Sequence, residues 1–138
     1  MPRILVLDDE VLISILVEDW LTELGCETVG PANSVPGALG LIDGTGLDGA
    51  ILDVSLGNGN CYPVADALRD RDIPFAFATG HLGKEIAARF KDALILSKPF
   101  DFEAVRTVVT KLLDSRARSS SAAVQKHYPR PVDPRRLP

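Results

Sequence analysis

Five polar residues that closely follow apolar segments indicate the chemistry that this 138-residue chain could perform. They are Asp8, Asp9, Asp53, Thr79 and Lys98. Three carboxylates in one cleft repel each other unless a cation neutralises them, and hard oxygen ligands suit Mg2+. A carboxylate beside a metal, a hydroxyl and an ammonium could carry out phosphoryl transfer. In this interpretation Asp53 is the nucleophile that forms an acyl phosphate, Thr79 hydrogen-bonds a phosphoryl oxygen, and Lys98 offsets the developing charge.

Each of these residues, taken alone, also has an ordinary structural explanation. Asp8 and Asp9 could be acidic residues at the start of a helix, where the helix dipole favours them. Asp53 and Thr79 could belong to turns, and Lys98 could be a solvated surface charge. Their joint placement at strand ends is much harder to explain in that way, and it favours the functional interpretation.

Alternating apolar and amphipathic segments predict the strands and helices that must position these residues. Short apolar runs predict strands over residues 4–7, 49–52, 74–78 and 93–96, and a less apolar strand near an edge over 26–30. Helical spacing predicts helices over residues 11–24, 35–42, 62–71, 82–90 and 102–113. Gly25 is placed as a C-terminal cap, Ser34 and Asp101 as N-terminal caps, and Pro63 in a first helical turn.

Five strand–helix units within about 114 residues predict an α/β fold with a doubly wound parallel sheet. In such sheets the site lies outside the carboxyl ends of the strands, where the strand order reverses. The acidic pair follows the first predicted strand, Asp53 the third, Thr79 the fourth and Lys98 the fifth. The predicted fold therefore brings all of them to one edge of the sheet.

Over about residues 3–114 the chain resembles the receiver domain of two-component response regulators. In that family the site consists of an acidic pair after the first strand, an Asp after the third, a Ser or Thr after the fourth and a Lys-Pro after the fifth. The matching residues here are Asp8, Asp9, Asp53, Thr79, Lys98 and Pro99. The resemblance implies a flavodoxin-like, five-stranded parallel sheet of order 2-1-3-4-5 with helices on both faces. It also implies a cis peptide bond between Lys98 and Pro99, which aims the lysine inward.

The same resemblance implies how the site binds its metal. Asp9 and Asp53 would bind Mg2+ directly, and the backbone carbonyl of Ser55 would be a third ligand. Asp8 would act through a water molecule. Mg2+ is therefore the cofactor that we expect.

A closer resemblance is carried by residues 77–80, with the sequence Phe-Ala-Thr-Gly. This is similar to the signature of a subgroup of mostly alphaproteobacterial, often single-domain receivers, and residues 62–68 fit the same group. A hydrophobic or aromatic residue commonly follows the glycine in that subgroup, whereas His81 follows Gly80 here. His81 could influence water access to the acyl phosphate, or it could be a partly exposed loop residue without a catalytic role.

One position departs from the family pattern in a way that affects the switch. Many receivers carry Tyr or Phe three residues before the lysine, and Ile95 occupies that position here. Thr79 could still move toward the phosphoryl group without an aromatic partner. An alternative hypothesis is that the fourth helix and its flanking loop, with Gly80 and Gly83, reorder on phosphorylation.

Composition and charge limit the domain organisation and the partners. Residues 1–114 are predicted to form the receiver domain, and residues 115–138, rich in Ser, Pro and Arg, a basic flexible tail. Six basic residues and one acidic residue give that tail a net charge of +5, which leaves −9 for residues 1–114 out of a total of −4. An acidic body disfavours direct binding to nucleic acid, although the tail could contact an anionic partner.

The sequence also favours a cytoplasmic protein without membrane association. No segment approaches the roughly 20 apolar residues needed to cross a bilayer, and the first apolar run is too short for a signal peptide. Cys26 and Cys61 lack both the spacing of a metal site and the density of a disulfide scaffold. We therefore interpret them as reduced structural thiols.

The resemblance implies a signalling switch rather than an enzyme that acts on a separate substrate. The phosphoryl group would come from a sensor histidine kinase or a histidine phosphotransfer protein, and the domain would assist its own phosphorylation and dephosphorylation. With no second core predicted after residue 114, output would pass through contact with a downstream protein or through a phosphorelay. The expected contact surface is the last two helices and the fifth strand, and the chain would be a monomer or a weak dimer.

Three alternative functions are less well supported by the residues. An aspartate-nucleophile phosphatase typically carries a second Asp two residues after the nucleophile, and Ser55 occupies that position. A flavodoxin-like cofactor binder would need a phosphate loop after the first strand, where Asp8 and Asp9 would repel a phosphate. A phosphate-independent, receiver-like interaction module is disfavoured by the intact set of site residues.

Overall fold

The computed structural model of the chain describes residues 1–57, 59–80 and 86–127, with the backbone alone for residues 119–127. Its parallel strands are β1 (Arg3–Leu7), β2 (Glu27–Ala32), β3 (Gly49–Asp53), β4 (Phe75–Thr79) and β5 (Leu94–Ser97). Its α-helices are α1 (Val11–Glu23), α2 (Val35–Ile42), α3 (Tyr62–Asp70) and α4 (Phe102–His127), and a 3-10 helix (Ala88–Phe90) lies between β4 and β5. A short antiparallel ladder pairs Ser55–Leu56 with Gly59–Asn60 after β3.

The five parallel strands form one sheet in the order β2-β1-β3-β4-β5, which confirms the predicted fold class and strand order. Backbone pairing sets Leu7 of β1 beside Leu52 of β3, and Ala78 of β4 beside Asp53 of β3. β2 lies on one side of β1, and β3, the next strand along the chain, lies on its other side. The direction in which strands are added therefore reverses between β1 and β3. The residues that follow β1 and those that end β3 therefore meet at the switch point of the sheet.

Alternate residues of the central strands pack on opposite faces of the sheet, in two hydrophobic cores. On β1, Leu5 and Leu7 face the core under α2 and α3, whereas Ile4 and Val6 face the core under α1 and α4. This alternation follows from the two-residue period of an extended strand. The helices thus cover both faces of the sheet, as predicted. None of the helices in the described part of the chain is both long and apolar enough to span a membrane.

Local capping signals fix where several helices begin or end. Ser34 Oγ accepts a hydrogen bond from the Gly37 N–H at 3.2 Å, and Asp101 Oδ1 accepts one from the Ala104 N–H at 2.9 Å. Gly25 follows Leu24 at the end of α1 and adopts a φ of +79°, a conformation that residues with a Cβ rarely adopt. The three predicted caps are confirmed.

The last helix is longer than its sequence pattern predicts. The helix predicted over residues 102–113 continues to His127, so its predicted end is wrong. The basic flexible tail expected from residue 115 stays a prediction. The segment contains no Gly or Pro before Pro129, and its Ala, Arg, Lys and Gln residues favour a helix that needs no apolar face. Arg116 Nη1 also donates a hydrogen bond to the Asp72 carbonyl oxygen at 2.9 Å. Residues 128–138 lie outside the described part, and the domain boundary at 114 stays a prediction.

The predicted helix over residues 82–90 lies partly outside the described residues, which omit 81–85. In its described part only Ala88–Phe90 is helical, as a single 3-10 turn, so the prediction of an α-helix is wrong there. The reason lies at Ala87, whose backbone is extended. Its N–H donates to the Tyr62 hydroxyl at 2.8 Å instead of forming a helical hydrogen bond.

Candidate functional site

The carboxyl edge of the sheet brings together Asp8, Asp53, Thr79 and Lys98, as the sequence predicts. Asp8 directly follows β1, Asp53 and Thr79 end β3 and β4, and Lys98 directly follows β5. Asp8, Asp53 and Thr79 are 5%, 4% and 2% exposed. Burial of polar groups is costly unless they are paired, so the partners at this edge decide its chemistry.

The Lys98 ammonium joins the carboxylates of this edge. Its Nζ atom lies 3.3 Å from Oδ2 of Asp53, 3.6 Å from Oδ2 of Asp8 and 3.0 Å from Oε1 of Glu10. The backbone N–H of Lys98 donates to the carbonyl oxygen of Thr79 at 2.8 Å, which connects the segment after β5 to the end of β4. The lysine side chain therefore points from the end of β5 into the acidic cluster.

Burial shifts the protonation equilibria of these groups. Burial and the negative charge of Asp8 raise the pKa of Asp53 from 3.8 to about 7, and the nearby Lys98 opposes this shift only in part. Burial also raises the pKa of Asp8, although its carboxylate accepts a hydrogen bond from the Glu10 N–H at 2.8 Å. Burial by itself would lower the pKa of Lys98. The hydrogen bond to Glu10 and the two buried carboxylates together have the larger effect, so the pKa of Lys98 is raised. An additional cation would stabilise the ionised carboxylates.

Three carboxylates at this edge could hold a metal ion. Ligand oxygens of Asp8, Glu10 and Asp53 all lie within 4.8 Å of one another. Mg2+ prefers hard carboxylate oxygens, and the incompletely compensated charge of Asp53 favours a cation, so these residues fit this metal. Sequence reasoning missed Glu10. It directly follows the acidic pair, but the direction of its side chain depends on the extended backbone before α1 (φ −94°, ψ 111°), which the sequence does not specify.

Two predicted metal ligands lie outside this cluster. Asp9 is exposed, and its Oδ2 accepts a hydrogen bond from the Gly57 N–H at 2.7 Å. Ser55 is also exposed and belongs to the antiparallel ladder after β3. The structure therefore holds Asp9 against the loop that carries Ser55. Direct binding of Mg2+ by Asp9 and by the Ser55 carbonyl stays a prediction.

The residues predicted to modulate the site occupy different environments. Gly80 is exposed, and apart from its chain neighbours no atom of the described residues lies within 4 Å of the place where a Cβ would be. Pro99 is exposed after the expected cis peptide bond. Ile95 pairs with Phe77 of β4 and packs against the core under α2 and α3. His81 lies outside the described residues, so its role stays a prediction.

Tyr62 begins α3 and contacts the segment that precedes β5. Its ring packs edge-to-face on Phe77 with 6.0 Å between ring centres, and tilted on Phe90 with 5.4 Å. Its hydroxyl accepts the hydrogen bond from Ala87. The start of α3 is thus joined to residues 87–90. No sequence signal identifies this contact, because it depends on how two loops approach each other.

Known proteins resemble the chain in both sequence and structure. Residues 4–110 match the response regulator receiver domain family. The solution structure of SdrG from Sphingomonas melonis Fr1 is 43% identical, covers 82% of this chain and 97% of that chain, and has a TM-score of 0.73. The BeF3-activated conformation of SdrG from Pseudomonas melonis Fr1 is 44% identical over 80% of this chain and 95% of that chain, with a TM-score of 0.71.

A more distant structure shares the same fold and family. TrrA from Thermotoga maritima, in complex with Mg2+ and BeF, is 29% identical over 82% of this chain and 100% of that chain, with a TM-score of 0.72. No curated protein matches the chain. Membership of the subgroup with the Phe-Ala-Thr-Gly signature stays a prediction. The strand order, the residues at the strand ends and the match over residues 4–110 agree, and the chain belongs to the response regulator receiver domains of two-component signalling.

Proposed function

We propose that this receiver domain accepts a phosphoryl group on Asp53 from a phosphohistidine donor, with Mg2+ as cofactor. The observation that carries the proposal is the Asp53 carboxylate, which is 4% exposed at the end of β3 and has the Lys98 ammonium 3.3 Å away. Thr79 ends the neighbouring strand and supplies a hydroxyl at the same edge. A carboxylate acceptor, an ammonium and a hydroxyl are groups that transfer of a phosphoryl group to an aspartate requires.

In the proposed reaction one oxygen of Asp53 attacks the phosphorus atom of a phosphohistidine. A P–O bond forms as the P–N bond breaks, and the electron pair of that bond leaves with the imidazole, which takes up a proton. Lys98 offsets the charge on the phosphoryl oxygens, and Thr79 donates a hydrogen bond to one of them. When bound, Mg2+ would supply further positive charge to the site. Because Asp53 must be ionised to attack, its pKa of about 7 makes compensation by a cation important near neutral pH.

The metal would be held by oxygen ligands around Asp53. Asp9 and Asp53 are the direct protein ligands in this proposal, together with the carbonyl oxygen of Ser55. Asp8 would act through water, and Glu10 is a further carboxylate of the cluster that is not a direct ligand in this proposal. The Mg2+ and BeF complex of the TrrA relative supports the assignment of the metal.

We further propose that output passes through protein contacts. A sensor histidine kinase or a histidine phosphotransfer protein would supply the phosphoryl group, and a downstream protein would bind the surface formed by β5, α4 and the segment before β5. The net charge of −9 over residues 1–114 makes nucleic acid an unfavourable partner. We place this activity in the cytoplasm, where the buried thiols of Cys26 and Cys61 stay reduced.

Phosphorylation by acetyl phosphate or phosphoramidate, followed by intact mass measurement, tests the proposal. We expect a gain of about 80 Da that requires Mg2+. Asp53→Ala should lose this gain, whereas Asp92→Ala should keep it, because Asp92 is an exposed residue that precedes β5 at the opposite edge of the sheet. If the wild type gains no mass and binds no Mg2+, the fold stands and a phosphate-independent interaction module becomes the better interpretation.

A further inference from the structure

Glu10 lies closer to the Lys98 ammonium than the proposed acceptor does. Nζ of Lys98 is 3.0 Å from Oε1 of Glu10 and 3.3 Å from Oδ2 of Asp53. The Glu10 side chain is 59% exposed, whereas the Asp53 side chain is 5% exposed. Glu10 therefore lies at the mouth of the site and Asp53 at its base, with Lys98 between them. The proposed transfer gives Glu10 no direct part in the reaction.

The local backbone shows that Glu10 is not needed to cap α1. It is the residue before the helix, and its side chain forms no capping hydrogen bond. Its N–H donates to Oδ1 of Asp8 at 2.8 Å, and its carbonyl oxygen accepts from the Ser14 N–H at 3.0 Å. Both bonds involve the backbone, so a substitution of the side chain leaves them in place. The Glu10 carboxylate instead accepts a hydrogen bond from Lys98.

Lys98 has to divide its donors among several acceptors. An ammonium has three N–H donors, and the carboxylates of Asp8, Glu10 and Asp53 surround this one. A phosphoryl group on Asp53 would add negatively charged oxygens that compete for the same donors. The more strongly Glu10 holds Lys98, the less of its charge and hydrogen-bonding capacity is available to that group.

We propose that Glu10 is a positioning residue whose carboxylate holds the Lys98 ammonium toward the mouth of the site and thereby limits its contact with a group bound to Asp53. This inference rests on the phosphoacceptor function proposed above, and it assigns to Glu10 the control of Lys98, one of the groups that this function uses. A mimic of the phosphoryl group should bind more tightly when Glu10 no longer holds Lys98.

The first test observes Lys98 in the unphosphorylated protein, so it does not depend on phosphoryl transfer. In NMR spectra of the side-chain ammonium, Glu10→Gln and Glu10→Ala should change the nitrogen shift of Lys98 and speed its hydrogen exchange with water. Glu23→Gln removes the same charge at the far end of α1 and should leave the Lys98 signal unchanged. The proposal fails if the Lys98 signal is the same in the wild type and in both Glu10 variants.

The second test is a double-mutant cycle that uses beryllofluoride with Mg2+ as the probe of Asp53. Glu10→Gln should tighten binding by about two- to fivefold, the range expected for the coupling of a partly exposed ion pair. In a Lys98→Met background the same substitution should have a clearly smaller effect, because only the repulsion between Glu10 and the anion is then removed.

Two results of this cycle distinguish a failure of the Glu10 proposal from a failure of the phosphoacceptor function. Equal effects in both backgrounds would show that Glu10 acts through its charge alone, which overturns the positioning role. A wild-type protein that binds no beryllofluoride would contradict the phosphoacceptor function itself. The Lys98 signal in the free protein then still reports whether Glu10 holds the ammonium.

Discussion

The Nζ atom of Lys98 lies 3.3 Å from Oδ2 of Asp53, although the strand β4 separates the strands that these two residues end or follow. The lysine therefore spans the end of β4, where Thr79 is buried. Protonation of Asp53, the position of Lys98 and the binding of a cation consequently depend on one another.

Asp53→Asn should stabilise the metal-free protein at neutral and higher pH. Burial and the charge of Asp8 raise the pKa of Asp53 from 3.8 to about 7 in the folded protein. Between these values the folded state keeps a proton that the unfolded state has released, so stability falls as the pH rises from about 4 to about 7 and then levels off. The substitution removes this loss, which is on the order of a few kcal/mol.

Thermal unfolding without metal, at about pH 5 and about pH 8, checks this prediction. The gain in stability should be larger at the higher pH, and added Mg2+ should reduce it by stabilising the wild type. Asp92→Asn is the control, because it neutralises an exposed carboxylate away from the site. A gain that is the same at both pH values would contradict a raised pKa at Asp53.

Lys98→Met should slow phosphorylation and destabilise the metal-free fold. Methionine keeps most of the apolar length but removes the ammonium that lies 3.3 Å from Asp53 and 3.6 Å from Asp8. The loss of one group that stabilises developing charge typically slows such a step by about 100- to 1,000-fold. The two buried carboxylates would also lose a partner, which lowers the free energy of unfolding.

The rate of mass gain with phosphoramidate and the thermal midpoint measure the two effects. Lys91→Met, at an exposed position before β5, should match the wild type in both. A wild-type rate in Lys98→Met would remove Lys98 from the proposed mechanism.

Tyr62→Phe should loosen the segment before β5 while the aromatic ring stays in the core. The change removes the hydroxyl that accepts the Ala87 N–H at 2.8 Å. One such hydrogen bond is worth about 1 kcal/mol net, so amide hydrogen exchange at Ala87 should become about fivefold faster. Thr110→Val is a matched control, because it removes a hydroxyl that bonds to the Arg106 carbonyl on α4. Unchanged exchange at Ala87 would count against this contact in solution.

Removal of residues 115–138 should leave the receiver fold and its phosphorylation intact. In the described part of α4 the last side chain that is fully buried belongs to Leu112, so the extension adds little to the core. The bond from Arg116 to the Asp72 carbonyl is exposed, and its loss should shift the thermal midpoint by less than about 5 °C. Circular dichroism should lose the helical signal of residues 115–127. Failure of the shortened chain to fold would place the domain boundary after residue 114.

The sequence was sufficient to predict most of the fold and the centre of the site. Buried strands produce apolar runs, and Asp8, Asp53, Thr79 and Lys98 could be placed because each ends or follows such a run. Parallel strands end at the same edge, so their shared location needed no knowledge of side-chain directions.

Features that depend on side-chain direction could not be predicted. Asp9 and Glu10 are adjacent in sequence, yet Asp9 contacts the loop after β3 and Glu10 contacts Lys98. The length of α4 was missed for a different reason. Its extension has no apolar stripe, so periodicity gave no signal, and helix propensity together with the absence of Gly and Pro was the remaining information.

The extension of α4 also adds positive charge at the end of the domain opposite the acidic site. α4 begins beside the acidic site at the carboxyl edge and runs to the amino edge, where Leu112 lies against Gly49. From there residues 115–127 continue for about 20 Å, and they carry Arg116, Arg118 and Lys126. The helix extension therefore carries charge opposite to that of the acidic site. A positively charged partner surface would attract the site end and repel the helix end, so the domain would be turned toward its partner before contact, and salt would weaken this alignment.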